Sequence, residues 1–311
     1  MLNSYPKIDL KNRDPRKMLA QFSIAARRGL TVRAIVRDVS SSLDPIAKKA
    51  ASILATRIDR DPLCRVPAYH NVAHYLDTAV TALTLAHWEA QNPSTLLNNW
   101  GLQLIKEDVA DCFIAGLIHD LGHPGGNNNG VPFKLEKESW ALAAPLLRQA
   151  GYSDQRLQRL ETLILATDPS HGVPMVERAM RIHTRTKEEE VDFVAPLTEL
   201  NDPQTAAMAY IVTKADIAFS LMQETSFNRT KAMHREFEER GTGNALFRTD
   251  GQLDTEKMGD FYRLIAHIDE RPMHLESIED ILGKSARETM ASMLRPRAAQ
   301  ATILNEHLIA R

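Results

Sequence analysis

Apolar positions recur along this chain at helical spacing. In 102–118, Leu102, Ile105, Val109, Phe113 and Leu117 keep close to the i, i+3/i+4 pattern of one buried stripe. Segments 43–60, 72–90 and 204–222 are rich in Ala and Leu, as helix formers should be. Alternating β-branched runs of strand length are essentially missing. The pattern predicts an all-α fold, a compact multi-helix bundle. Turn chemistry marks its breaks at Asn92-Pro93-Ser94-Thr95, along His123-Pro124-Gly125-Gly126, at Asp168-Pro169-Ser170-His171-Gly172 and at Gly241-Thr242-Gly243-Asn244. Residues 184–203 read as a charged surface excursion whose Lys187 to Glu190 run is a solvated face. Residues 1–40 read as a helical extension preceding one domain, 41–311, and the stretch after about 280 reads as a helical flank. Both flanks are candidates for contacts in a homodimer, and Met290, Met293 and Leu294 fit a core or interface.

Charge and composition narrow the classes. The 311 residues are enough to bury a substantial core. They carry 38 Lys+Arg against 40 Asp+Glu, a formal charge of −2, so no basic excess exists to neutralise a nucleic-acid backbone. Cys64 and Cys112 cannot build a disulfide framework, which suits a reducing cytosol. The N-terminus lacks the apolar core of a signal peptide, and no apolar run approaches the ~20 residues of a membrane span. A cytoplasmic protein is expected, with neither nucleic acid nor membrane as partner.

Most of the eleven histidines stand alone in the sequence, and core or surface placement accounts for them. Two clusters differ. In Tyr69-His70-Asn71-Val72-Ala73-His74, spacing i, i+4 predicts both imidazoles on one face of a helix. Two neutral imidazoles so placed share one metal, or one binds metal while the other serves as an acid; two surface histidines give the same pattern. In Ile118-His119-Asp120-Leu121-Gly122-His123, a strongly apolar stretch delivers an imidazole and a carboxylate to the edge of the core. An Asp there is costly to bury unless paired or metal-bound. Asp216 is the one acidic residue between Ala206 and Met222, and it too wants a cation. Asp120, Asp216, His74 and His119 together suit Zn, Fe or Mn, and a carboxylate bridging to a second ion would make a two-metal centre.

These residues resemble the H…HD…D set of the HD-domain metal-dependent phosphohydrolases, and a longer match points within that superfamily. Residues 69–77 read YHNVAHYLD, similar to the YHNxxHAxD of class I 3′,5′-cyclic-nucleotide phosphodiesterase catalytic domains. The family's HDxxHPGxxN appears at residues 119–128, its ILATD at 164–168 and its (K/C)ADI at 214–217, all in order and covering roughly residues 65 to 240. The resemblance implies an HD-type metal site between helices and hydrolysis of cAMP, cGMP or both to 5′-nucleotides by a hydroxide bridging two ions. His74, His119, Asp120 and Asp216 would hold the tighter ion (Zn, Fe or Mn), with Asp120 bridging to a second (Mg or Mn). His123, Glu136, Thr167 and Asp168 would order the surrounding waters, and Asn128 would line the phosphate pocket beside Tyr69. His70 would be the general acid, oriented by Glu236, so that the catalytic group is His70, His123 and Glu236.

The departures from the family cluster where the base would sit. Phe219 occupies the position of an Asn that contacts a purine. The QxGF segment with the purine-selective Gln has as its best local match Lys257-Met258-Gly259-Asp260, with Phe261 one place late and no Gln. Phe219 and Phe261 are therefore the expected base-pocket residues, with Gln223 and Gln252 as candidate base readers. An HD-type hydrolase of another nucleotide or phosphoester is the alternative, and a non-catalytic nucleotide-binding module is a third reading.

Overall fold

A computed structural model describes residues 8–11, 15–26, 31–91, 101–126, 128–184, 192–221 and 225–240. Among these residues there are ten α-helices and no strand, as the apolar periodicity predicts. They are α1 (Pro15–Ala26), α2 (Val32–Val39), α3 (Pro45–Arg60), α4 (Val72–Gln91) and α5 (Lys106–Ile118), then α6 (Lys134–Ala150), α7 (Asp154–Leu165), α8 (Gly172–Thr184), α9 (Pro203–Leu221) and α10 (Ser226–Glu239).

Helices α4, α5 and α9 form the centre. Helix α4 packs most extensively against α5 and α9, and every residue from His74 to Ala86 is buried. A helix apolar or small all round has no solvent face to offer, so it takes the middle. The α4–α5 crossing is unusually close. A Cβ on Gly116 would lie 2.8 Å from the Ala79 Cα, so only glycine lets the two backbones touch. Helix α1 docks on α4 through the fully buried Leu19 and Phe22, so the described part of residues 1–40 shares the main core.

Polar devices set the helix ends. Asp44 accepts from the amides of Ile46 (2.9 Å) and Ala47 (3.1 Å) and, with Pro45 in the first turn, starts α3. The expected helix 102–118 begins only at Lys106, because the Asp108 carboxylate turns back to accept from the Ile105 amide at 2.9 Å and ends the apolar stripe's helical register there. Deeper in, Arg156 of α7 binds both Asp44 (2.7 Å) and Asp111 of α5 (2.7 Å), tying three helices together. Arg229 of α10 pairs with Asp77 of α4, whose carboxylate also accepts from Ser23 of α1 at 3.1 Å. No described helix is long and apolar enough to cross a membrane.

Candidate metal centre

The close crossing at Gly116 lies one turn from two of the predicted ligands. Helix α4 starts where α5 ends, so His74, in the first turn of α4, meets His119, the residue that closes α5. Asp120 follows in the turn, and Asp216 projects from α9. The ligand atoms of these four residues all lie within 4.8 Å of one another. His119 Nε2 is 2.9 Å from Asp120 and 3.2 Å from Asp216; His74 Nε2 is 3.1 Å and 3.0 Å from the same two carboxylates; the two Nε2 atoms are 3.2 Å apart.

These spacings fit a cation. Adjacent ligands about 2.1 Å from one ion at right angles are about 3.0 Å apart. Hydrogen bonds alone fit poorly, since two ring N–H groups are the most that could serve these contacts. The His119 ring also spends its Nδ1 proton on the Gly116 carbonyl at 2.9 Å, which turns Nε2 toward the two carboxylates. Burial opposes charge on His119, but Asp120 and Asp216 outweigh it and lift its pKa well above the ordinary histidine value. Burial likewise opposes charge on Asp120 and Asp216, yet His119 above all holds both carboxyls down. The cluster thus draws positive charge to its middle, and the His₂Asp₂ set could hold a metal ion there.

A second cluster stands beside it. His70, His123 and Glu236 bring their ligand atoms within 4.8 Å of one another. His70 is not on the helix that its i, i+4 spacing from His74 predicts. Asn71 accepts from the Ala73 amide at 2.9 Å and caps α4, so His70 stays in the preceding bend with its ring at 87° to that of His74. Glu236 of α10 fixes that bend: it accepts from the amides of Tyr69 (2.8 Å) and His70 (2.9 Å) and holds the His70 ring through Nδ1. Burial opposes the Glu236 charge, but these bonds, His70 foremost, keep its carboxyl down at about 2. Burial also resists protonation of His70, and Asp120 and Glu236 override it and raise the pKa. The His123 ring stacks on His70 at 4.0 Å between centroids and accepts from the Gly125 amide through Nδ1. Burial and the neighbouring His70 push His123 down to about 4, so it is neutral where His70 is charged. Gly125 has φ +86°, and a Cβ there would press on Glu236 at 3.1 Å, so the glycine that follows His123-Pro124 makes room for the dyad.

Both clusters open on one cleft of about 350 Å³. Within the same cleft, Asn128 donates to Glu136 (2.9 Å) and Asp168 (3.1 Å) and accepts from the Leu135 amide, so its side chain orders the two carboxylates. Burial pushes the Glu136 carboxyl up to about 7; Asn128 resists and the nearby Asp168 adds to the rise. Asp168 also accepts from the amides of Phe133, Ser170 and His171. Thr167 lines the cleft while its hydroxyl donates to Ile164, and Tyr69 lines it with its ring against His74.

Phe219 falls elsewhere. It does not line the cleft; its ring is 3% exposed, in the core, with the Arg229 guanidinium above it. Ile217, Met233 and Phe237 line the cleft instead, with Leu135 and Pro169 as its other apolar residues. Sequence reasoning missed these, although Met233 and Phe237 stand i, i+4 on either side of Glu236, a helical pair that could have flagged them. Phe261, Gln223, Gln252 and the Lys257–Asp260 segment lie outside the described residues.

Fold and site together define an all-α protein with a candidate His₂Asp₂ metal centre beside a His–Glu pair. No family model and no curated protein matches the chain. Among solved structures it is similar to the phosphodiesterase domain of the RhoPDE fusion protein from the choanoflagellate Salpingoeca rosetta, at 16% identity, over 100% of this chain and 98% of that one, with a TM-score of 0.49. A second structure of the phosphodiesterase domain of the Salpingoeca rosetta rhodopsin phosphodiesterase matches at 17% identity, over 97% and 91%, with a TM-score of 0.48.

Proposed function

We propose that the chain is a divalent-metal-dependent phosphodiesterase that opens 3′,5′-cyclic nucleotides, cAMP or cGMP, to 5′-nucleotides. The observation that carries this reading is the meeting of a four-donor cluster and a His70–Glu236 pair in one cleft. The order of the YHNxxH, HDxxHPG, ILATD and ADI motifs supports it.

His74, His119, Asp120 and Asp216 would hold the tighter ion, with Asp120 shared with a second. Bound there, divalent ions neutralise a phosphodiester anion and lower the pKa of a coordinated water. His123, Glu136, Thr167 and Asp168 would order the surrounding waters, and Asn128 would line the phosphate pocket. His70 spends Nδ1 on Glu236, so Nε2–H is the proton it can give, and it would deliver that proton to the leaving 3′ oxygen. Against the opposing effect of burial, Asp120 and Glu236 raise its pKa and so favour the protonated form. Neutral His123, stacked on the same ring, adds no second charge to the dyad. Ile217, Met233 and Phe237 would take the base against an apolar wall.

The test is chromatography of products after incubation with cAMP and cGMP, with Mg or Mn and with EDTA. Metal-dependent release of 5′-AMP or 5′-GMP is the expected result. The core position of Phe219, away from the cleft, favours the second reading, an HD-type hydrolase of another phosphoester. Faster turnover of a non-cyclic phosphodiester in the same assay would select it. Retention of an unhydrolysed nucleotide with metals bound would select the non-catalytic module.

A further inference from the structure

A second cleft, of about 380 Å³, lies between α2 and α3. It shares no lining residue with the metal cleft, so its chemistry is independent of whatever reaction that cleft supports. Arg33 and Arg37 stand i, i+4 on α2, and Lys48 faces them from α3. Like charges one turn apart oppose the helix that carries them, and here a third cation joins them across the groove. Among the described residues, no carboxylate lines the cleft. The nearby Asp59 is spent on the start of α2, where it accepts from the amides of Val32 (2.8 Å) and Arg33 (3.1 Å).

The rest of the lining is hydroxyl and apolar. Ser52 and Thr56 lie on the Lys48 face of α3, one and two turns on, and the Arg33 guanidinium reaches across to the Thr56 hydroxyl at 3.2 Å. The floor is Val36 and Ala55, both buried. Small residues on α3 open the groove, three cations and three hydroxyls (with Ser40) rim it, and its volume is that of a small-molecule site. Guanidinium forks and an ammonium around an apolar floor match an anion carrying adjacent phosphate groups and a small apolar body.

We propose that the α2–α3 cleft binds a phosphorylated small molecule through Arg33, Arg37 and Lys48, at a site separate from the metal centre. The test is the rate of acetylation of Lys48 in the full-length protein, read by peptide mass spectrometry with Lys49 as internal control. Lys49 is exposed on the same helix and does not line the cleft. Inorganic pyrophosphate or ADP at millimolar concentration, at constant ionic strength, is expected to slow Lys48 at least fivefold and leave Lys49 unchanged. In the surface variant R33Q/R37Q the protection is expected to disappear while the fold, by circular dichroism, is unchanged. Equal effects on both lysines, no effect at all, protection that persists in R33Q/R37Q, or protection only by phosphatidylserine vesicles or single-stranded DNA would each overturn the proposal.

Discussion

His70 keeps one ring nitrogen against Glu236 and the other free, and this division is what a proton donor needs. Replacing His70 with Ala should cut turnover by about 10²–10⁴-fold while the protein still retains its metal by elemental analysis, because His70 belongs to the second cluster and not to the four-donor one. Retained metal with turnover within about tenfold of the parent would remove His70 from the role of acid. The neighbouring carboxylate sets the pH range. Burial lowers the His70 pKa, and Asp120 and Glu236 raise it to a net elevation. Glu236→Gln removes one of the raising charges, so the protonated form is lost at lower pH. The alkaline limb of the pH–rate profile should therefore move to lower pH, and an unmoved limb would show that His70 is not the group titrating there.

Between helices, one glycine and one arginine decide the geometry. Gly116 lets α5 close on α4 at Ala79 and supplies the carbonyl that orients His119. Gly116→Val should destabilise the fold by about 1–3 kcal/mol through overpacking and weaken metal retention, because His74 and His119 would be forced apart. Thermal melts with and without added Mn separate the two effects. Arg156 tests the polar frame. Burial raises the Asp111 pKa overall, and the bond to Arg156 is the main influence opposing it. Arg156→Ala would leave buried Asp44 without its cation and Asp111 with only the longer 3.5 Å contact to Arg159, and should cost about 3–5 kcal/mol in denaturant unfolding. Parent-like stability would mean that the network adds nothing to the bundle.

Across the whole molecule, the ion itself should act as a structural member. The four ligands come from α4, the end of α5 and α9, the helices at the centre of the fold. A cation that binds only the folded state adds stability with concentration, about 4 kcal/mol at a thousandfold excess over Kd. Chelation with EDTA should lower Tm and readdition of Mn or Zn should restore it. A Tm indifferent to chelation, in protein shown to contain metal beforehand, would mean that the cluster binds too weakly to matter to the fold.

The helical character and the charged members of the site were legible in the chain because both are local properties. A 3.6-residue apolar period writes a helix, and an Asp in an otherwise apolar segment such as 206–222 announces a need for a cation. His70 shows where local reading stops: its spacing from His74 says one helix face, but the Asn71 cap ends the helix between them and hands the two rings to different clusters. Phe219 shows the same limit, since alignment to a motif cannot tell which side of α9 meets the core. The apolar wall of Ile217, Met233 and Phe237, the mutual spacing of the four ligands and the pairing of cations across α2 and α3 belong to the packing alone. Each joins side chains from different helices, and the directions in which those helices cross are decided by contacts such as Gly116 on Ala79 that no single segment contains.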